Sequence, residues 1–322
     1  MRKNILDMLR GAGKNFTSGE TIAEKFNVSR AAVWKHIHAL RKNGYEIQSS
    51  ERLGYRLNST PDLLLPEIIQ HGLSAKIIGA EFVHKDSIDS TNRLAKKLAA
   101  NGAADGTVVV AEEQTGGKGR LERNFFSPKE KGIWFSLILR PKCLPKDAPK
   151  FTLLAAVAVA KAMERFNLRA EIKWPNDILY DGRKLVGILT ELSAEVSRVN
   201  YIVVGVGINV NVQREEFPVE LQKIAASLSE VNGGKNLPRA DFFRAVLEEF
   251  DALYTANDFS EIFRLWRKFN VTLGKNISVI SAETGDVFEG VAVDIDADGA
   301  LIVDVGGERR TVYAGDVSIR AK

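Results

Sequence analysis

Three glycines alternate with cations across residues 116–123, where Gly116, Gly117 and Gly119 are interspersed with Lys118, Arg120 and Arg123. Glycine permits positive φ and lets a backbone approach a ligand closely, while the cations offer charge-assisted donors to an anion. No hydrophobic periodicity crosses the stretch until Ile133, where a β-type run to Leu139 begins. The pattern predicts a flexible cationic loop, entered through Glu113 and Gln114, that feeds a rigid strand. Taken alone it reads most simply as a solvated basic surface loop, so other parts of the chain must decide.

Other chemistries lack their residues. There is no Gly-x-x-x-x-Gly-Lys-Ser/Thr, and Gly205-Val-Gly207 sits inside an apolar run instead of opening a helix. A bound nucleotide would therefore rely on the glycine–cation loop. No Ser–His–Asp or Cys–His set stands out, and His71 and His84 are isolated. His36 and His38 are two apart and cannot share a helical face as metal ligands. The single cysteine, Cys143, excludes an internal disulfide framework.

The elements that position these residues follow from length and pattern. A chain of 322 residues exceeds one ordinary core and implies two or three domains. With 45% hydrophobic and 27% charged residues it has the balance of a soluble globular protein. No apolar run reaches the ~18 residues of a membrane span. The start, Met-Arg-Lys-Asn-Ile-Leu-Asp, has no apolar signal core, so the expected location is cytoplasmic. Charge is uneven: residues 1–60 carry 11 Lys and Arg against 5 Asp and Glu, the remainder 34 against 36. A polyanionic partner is thus expected for the first segment alone.

That segment reads as helix, helix, turn, helix, hairpin. Ile5, Leu6 and Leu9 form the first apolar stripe; Thr17 and Glu20 have capping-box spacing before Ile22, Ala23 and Phe26. Ser29 is a natural N-cap for Arg30–Lys42, which buries Val33, Ile37 and Leu40 and leaves Arg30, Lys35, His36 and Arg41 outside. Asn43-Gly44 ends it, and residues 45–48 and 55–57 make a hairpin. This is the order of a winged helix-turn-helix. Ser29, Arg30, Ala31, Trp34 and Lys35 would enter a major groove, with Arg52 and Arg56 on the wing reaching phosphate or minor groove. Asn58-Ser-Thr-Pro61 starts a linker, giving expected domains of 1–60, 61–270 and 271–322.

In the second domain Ser90 caps a helix over 94–100, and strands are expected at 107–111, 133–139, 171–174, 178–180, 183–191 and 201–211. A helix over 151–166 is nearly all apolar at its start and must pack on a sheet. Short hairpins with segregated helices predict an α+β domain. Past residue 271 come short strands joined by acid–Gly and Gly–Gly turns, the pattern of an SH3-like barrel. Its 9 acids against 5 bases argue against DNA as its partner.

Taken together the motifs resemble one family, the bacterial bifunctional biotin–protein ligases that are also biotin operon repressors (the BirA family). The matching pieces are the winged helix, Asp89-Ser-Thr-Asn92, Gln114-Thr-Gly-Gly-Lys-Gly-Arg120, Lys173-Trp-Pro-Asn-Asp177, Gly182-Arg-Lys-Leu-Val-Gly-Ile188 and Gly205-Val-Gly-Ile-Asn209, in the family's order. The resemblance implies a mixed-sheet central domain like that of class II synthetases. It implies ATP-dependent formation of biotinyl-5′-adenylate, then transfer of biotin to a lysine of biotin carboxyl carrier protein. It also implies repression of operator DNA by a homodimer with the adenylate as corepressor.

By the same resemblance Ser90, Thr91, Asn92 and Gln114 hold the biotin ring; Lys118, Gly119 and Arg120 wrap carboxylate and phosphate; and Lys184 places charge at the reacting carboxylate. Arg123 assists the phosphates, Asn209 and Arg320 contact the adenylate, and Asp177 helps place Mg²⁺. Family members usually carry arginine where Lys118 stands and tryptophan over the adenine where Phe125 stands. Two rival readings share the scaffold: a non-catalytic biotin-sensing repressor, and a lipoate or octanoate ligase.

Overall fold

The structure is a computed structural model and describes residues 1–281, 285–313 and 315–319. It divides into two compact units, Met1–Leu63 and Leu64–Lys322.

In the first unit α1 (Arg2–Gly11), α2 (Gly19–Lys25) and α3 (Arg30–Lys42) bury Ile5, Leu6, Leu9, Ile22, Val33, Ile37 and Leu40. The hairpin β1 (Glu46–Ser50) and β2 (Gly54–Ser59) is antiparallel. Ser29 caps α3 through the Ala32 amide. The capping box expected from Thr17 does not form. Thr17 is tied to Tyr55 by two backbone hydrogen bonds of 2.8 Å, and Ser18 caps α2 instead, accepting from the Thr21 amide. Arg41 is not free outside α3 either, because its guanidinium donates to the Ile47 carbonyl and Ser49 and so braces helix against wing.

The second unit opens with the short helix α4 (Pro66–Ile69). There follow β3 (Phe82–Lys85), α5 (Thr91–Ala100), β4 (Thr107–Ala111), β5 (Gly132–Leu139), α6 (Ala148–Arg165), β6 (Glu171–Lys173), β7 (Asp177–Tyr180), β8 (Arg183–Glu195) and β9 (Arg198–Asn209). The strands form one sheet in the order β3-β4-β5-β9-β8-β7-β6. Only the β3–β4 pair is parallel. The expected strand 201–211 starts earlier and stops at Asn209, because β8 and β9 are one long hairpin.

Successive side chains of a strand face opposite ways, and β5 shows what covers each face. Ser136 meets Thr91 and Asn92 of α5. Its neighbour Phe135 packs on Phe243 of α8 (Arg239–Ala256), with ring centroids 4.8 Å apart. Helix α5 buries Ala95 and Ala99 on Val109, Ile138 and Val203. Helix α6 buries twelve of its 18 residues, as its apolar sequence demands.

After β9 come α7 (Leu228–Val231), α8, α9 (Phe259–Phe269) and an antiparallel sheet of β10 (Asn276–Ser281), β11 (Val287–Ile295), β12 (Leu301–Val305), β13 (Glu308–Val312) and β14 (Gly315–Ile319). Its order is β13-β12-β11-β10-β14. This sheet is anchored to the larger one: Trp174 Nε1 donates to the Gly299 carbonyl (3.1 Å), and Lys150 reaches Asp298 (2.9 Å).

Candidate active site

The glycine–cation loop follows β4, running from Glu113 to Ser127. The backbone amides of Ile88, Thr115 and Gly116 donate to the carbonyls of Glu113, Ile88 and Asp89 respectively, which sets Gln114 beside the start of α5. Within the loop Gly119 N donates to Arg123 O and Phe125 N to Gly117 O, so it is a folded hairpin with a short 3₁₀ turn at Arg120–Glu122.

Of the two properties glycine offers, positive φ and close approach, these glycines use the second. None of Gly116, Gly117 and Gly119 has positive φ, and Leu121 and Glu122 carry it instead. The glycines serve close approach: a Cβ on Gly117 would stand 2.6 Å from Phe125 O, and one on Gly116 3.3 Å from Asp89 O.

A first cavity is lined by Ser90, Thr91, Asn92, Gln114 and the strand glycines Gly187, Gly205 and Gly207. Its polar end is a connected network. Gln114 Oε1 accepts from the Thr91 amide (2.8 Å) and hydroxyl (3.0 Å), and its Nε2 donates to Ser127 Oγ (3.1 Å). Ser136 Oγ lies 2.8 Å from Thr91 Oγ1 and 2.6 Å from Asn92 Oδ1. Asn92 Nδ2 donates to Glu191 (2.9 Å), whose other oxygen accepts from Lys96 (2.6 Å). Ser90 caps α5 through the Arg93 amide, so the helix start is presented to the cavity. A ligand here would meet fixed donors and acceptors, the arrangement suited to a rigid polar ring. The lack of side chains on β8 and β9 opens the space: a Cβ on Gly205 would fall 2.0 Å from Asn92 Oδ1, and one on Gly207 2.4 Å from the Phe125 ring.

A second cavity of about 260 Å³ lies on the far side of the loop. It shares Gly119, Arg120, Phe125, Asn176 and Lys184 with the first and adds Arg123, Asp177, Asn209, Phe217, Leu221, Ile224 and Asp316. Polar groups thus meet at the junction of the two. Lys184 Nζ is 2.6 Å from Asp177 Oδ1 and 5.7 Å from the Phe125 ring centroid. Arg120 Nη1 donates to Asn176 Oδ1 (3.3 Å). Burial presses the Arg120 guanidinium below its ordinary value; Asp316 and Asp177 oppose the shift and Arg123 adds to it. It remains a cation, poorly solvated and aimed at the junction.

The other expected site residues have these places. Lys118 is exposed, contacting the Glu122 carbonyl (3.3 Å) and Asn124 (3.4 Å) while lining the first cavity. Arg123 pairs with Asp316 of β14 at 2.7 Å. Asn209 is buried and donates to the Ala226 carbonyl (3.1 Å), holding the segment that pins the Lys184 backbone. Arg320 lies outside the described residues. Among the described residues no three His, Cys, Asp or Glu side chains gather as metal ligands. A divalent ion at the junction would have Asp177 and the oxygens of its own phosphate ligand, which is how Mg²⁺ is often held.

Several residues here gave no sequence signal. Ser136 is hidden in an apolar run, Glu191 acts only through Asn92, and Asn176 sits in the turn between β6 and β7, where nothing local points to its partner. Asn176 donates to the Ile188 carbonyl (2.9 Å) and accepts from its amide through the backbone (3.0 Å), which fixes it beside Arg120. Phe217, Leu221 and Ile224 lie in an irregular stretch without helical or strand periodicity.

In the first unit Trp34 is 56% exposed and stacks on His38, with ring centroids 5.4 Å apart. Ser29, Arg30, Ala31 and Lys35 are exposed on the same helix, and Arg52 at the tip of the wing. Arg56 is half-buried and donates to Gln48, Asn58 and the Lys14 carbonyl, so it braces the wing.

Comparisons with known proteins place this geometry. The model of the biotin/lipoate A/B protein ligase family matches residues 85–209, an HTH domain residues 2–56, and a biotin protein ligase C-terminal domain residues 272–320. The bifunctional ligase/repressor BirA of Bacillus spizizenii is 41% identical across 99% of this chain and 98% of its own length. That of Escherichia coli is 29% identical across 96% and 95%. The biotin protein ligase of Aquifex aeolicus, solved with biotin and ATP, superposes with a TM-score of 0.63 at 26% identity, over 76% of this chain and 100% of that one. An identity above two-fifths along almost the entire length shows that the chain belongs to the family of bifunctional ligase/repressor BirA proteins.

Proposed function

We propose that this protein is an ATP-dependent biotin–protein ligase and a DNA-binding repressor of biotin genes. The observation that carries the reading is the junction of two cavities at Arg120, Asn176 and Lys184, one cavity polar and fixed, the other lined by Phe217, Leu221 and Ile224. Biotin occupies the first through Ser90, Thr91, Asn92 and Gln114, with its carboxylate at the junction. ATP occupies the second, with adenine against Phe125 and the apolar trio.

A carboxylate oxygen attacks the α-phosphorus, a P–O bond forms, and pyrophosphate leaves. Bringing two anions together is a task of positioning and charge compensation. Lys184 and Arg120 bracket the reacting carboxylate, while Lys118 and Arg123 compensate phosphate charge. Asp177 would hold a Mg²⁺ ion, whose charge would help neutralise the leaving pyrophosphate. A lysine amine of biotin carboxyl carrier protein then takes the acyl group and AMP departs.

Residues 1–60 bind operator DNA through Ser29, Arg30, Ala31, Trp34, Lys35 and the wing, residues 61–270 carry catalysis, and 271–322 form the small third domain. The repressor acts as a dimer. Strand β8 runs on past its β7 pairing at Gly187 to Glu195, and this edge of the central sheet supports strand-to-strand association of two copies. A palindromic operator fits such a dimer. No helix among the described residues is long and apolar enough to cross a membrane, in keeping with work in the cytoplasm.

Incubation with ATP, Mg²⁺, labelled biotin and a carrier domain tests the reading. Label on the carrier is the expected result. Biotin binding without transfer would favour a non-catalytic sensor, and transfer of lipoate in preference to biotin would favour the other rival.

A further inference from the structure

Ser136, Glu191 and Lys96 stand behind the first cavity and line no part of it. We propose that Glu191 is a positioning residue that sets the ligand selectivity of this cavity. Through Asn92, Ser136 and Thr91 it fixes which atoms at the cavity surface can accept a hydrogen bond. The cavity then requires a ring with N–H donors, a cyclic urea rather than a cyclic disulfide. The inference rests on biotin occupying the first cavity.

The chain of contacts begins at groups that can only accept. Asn92 Nδ2 is 2.9 Å from a Glu191 oxygen and 3.4 Å from the Leu189 carbonyl. With two acceptors on its nitrogen the amide cannot turn over, and Oδ1 must face Ser136. Gln114 is fixed in the same manner from the other side. The Ser127 hydroxyl donates to the Phe125 carbonyl (3.1 Å), so it accepts from Gln114 Nε2 (3.1 Å) and Gln114 Oε1 must face Thr91.

Between these two amide oxygens lie two hydroxyls and three short contacts: Asn92–Ser136 at 2.6 Å, Ser136–Thr91 at 2.8 Å and Thr91–Gln114 at 3.0 Å. Two hydroxyl protons cannot fill three oxygen–oxygen contacts. Ser136 is fully buried, so a ligand can bring the third proton only to the Thr91–Gln114 contact, which faces the cavity. A ligand N–H placed there releases the Thr91 proton to Ser136 and the Ser136 proton to Asn92, and every oxygen is satisfied. A urea carries such a donor. A disulfide ring has none and leaves two acceptors facing each other unpaired, which weakens its binding.

Lys96 decides which way the protons run when Glu191 is altered, because its ammonium holds the other Glu191 oxygen at 2.6 Å. In Glu191→Gln the cation would keep the amide oxygen and turn the amide nitrogen toward Asn92. Asn92 would then rotate, and the order would reverse: Asn92 donates to Ser136, Ser136 to Thr91, and Thr91 to Gln114. All three contacts are then filled from within the protein. Gln114 Oε1, which also receives the Thr91 amide at 2.8 Å, has no lone pair left for a ligand.

Glu191→Gln and the double variant Lys96→Met/Glu191→Gln test the proposal in the full-length protein. Titration with biotin, and with desthiobiotin, which keeps both urea N–H groups without the sulfur ring, reads the first cavity. The KM for ATP in pyrophosphate exchange at saturating biotin reads the second and serves as the folding control. Glu191→Gln should raise the Kd of both ligands about tenfold or more and leave the KM for ATP within about twofold of wild type. Removing the cation frees the new amide to present its oxygen to Asn92, so the double variant should return to within about threefold of wild type. Wild-type affinity in Glu191→Gln, an equal rise in the KM for ATP, or a double variant as weak as the single one would each overturn the proposal. A wild-type protein that binds no biotin would instead remove the reading of the site, and this inference with it.

Discussion

Lys184 and Asp177 face each other across adjoining strands, ammonium nitrogen to carboxylate oxygen at 2.6 Å, at the mouth shared by two cavities. The pair is half-open to solvent, with side-chain exposures of 35% and 21%, so its worth to stability is small. Its value lies in parking a cation where a carboxylate and a phosphate would meet. Lys184→Ala should therefore cut biotin-dependent ATP–pyrophosphate exchange by about 10²–10³-fold, the usual effect of removing a preorganised charge. Stability should barely change. Exchange within twofold of wild type would take Lys184 out of the site.

Gly205 leaves room for Asn92, and that room is specific. A Cβ there would lie 2.0 Å from Asn92 Oδ1 and would push the amide off Ser136 and Glu191. Gly205→Ala should raise the KM for biotin by about tenfold or more, since a misplaced polar partner costs roughly 1–3 kcal/mol. The KM for ATP should change much less. Isothermal titration with biotin alone checks this, and unchanged affinity would contradict it.

Glu112, one residue before the loop, is buried against Arg239 at 2.9 Å, receives the Leu64 amide at 2.6 Å, and lies 3.5 Å from His84. Burial alone would raise its carboxyl, but the His84 contact, the Arg239 charge and the Leu64 amide outweigh it and hold the group below its ordinary 4.5. A depressed folded-state value means stability that is present above about 4.5 and is lost as pH falls through the folded value. Arg239→Met should destabilise by about 3–5 kcal/mol at neutral pH, because a buried charge loses its partner. The deficit should shrink in acid, where the carboxyl is neutral. Thermal unfolding from pH 3 to 7 measures both, and a deficit constant across that range would count against the pair.

Lys35 and Trp34 should affect DNA differently. Lys35→Ala should weaken all sequences alike and lower the salt slope by about 1, as expected for a phosphate contact. Trp34→Ala should instead narrow the gap between operator and random DNA. Equal effects of both on random DNA would place Trp34 on the backbone rather than on bases.

How legible this was in the sequence depends on the range of each interaction. Ser29 and Ser90 announce their caps because capping is local, and α6 announces its burial by composition. Thr17 misleads because its backbone pairs with Tyr55, far along the chain, and hands the cap to Ser18. The loop glycines signal an unusual backbone, yet only the fold reveals that they admit Phe125 and Asp89 instead of turning the chain. Ser136 and Asn176 were unreadable because their partners, Asn92 and Arg120, come from distant stretches. The segment around Phe217–Ile224 has no periodicity, and its role exists only once it folds over Lys184.

On the proposed reading, biotin is joined to AMP at the Arg120–Lys184 junction. Biotin-dependent ATP–pyrophosphate exchange by the wild-type protein, with Mg²⁺ and no acceptor, measures that step directly. Exchange that appears with biotin, is absent with lipoate, and is lost in Lys184→Ala is the predicted result. Absence of exchange at saturating biotin and ATP, from folded protein that binds both, would contradict it.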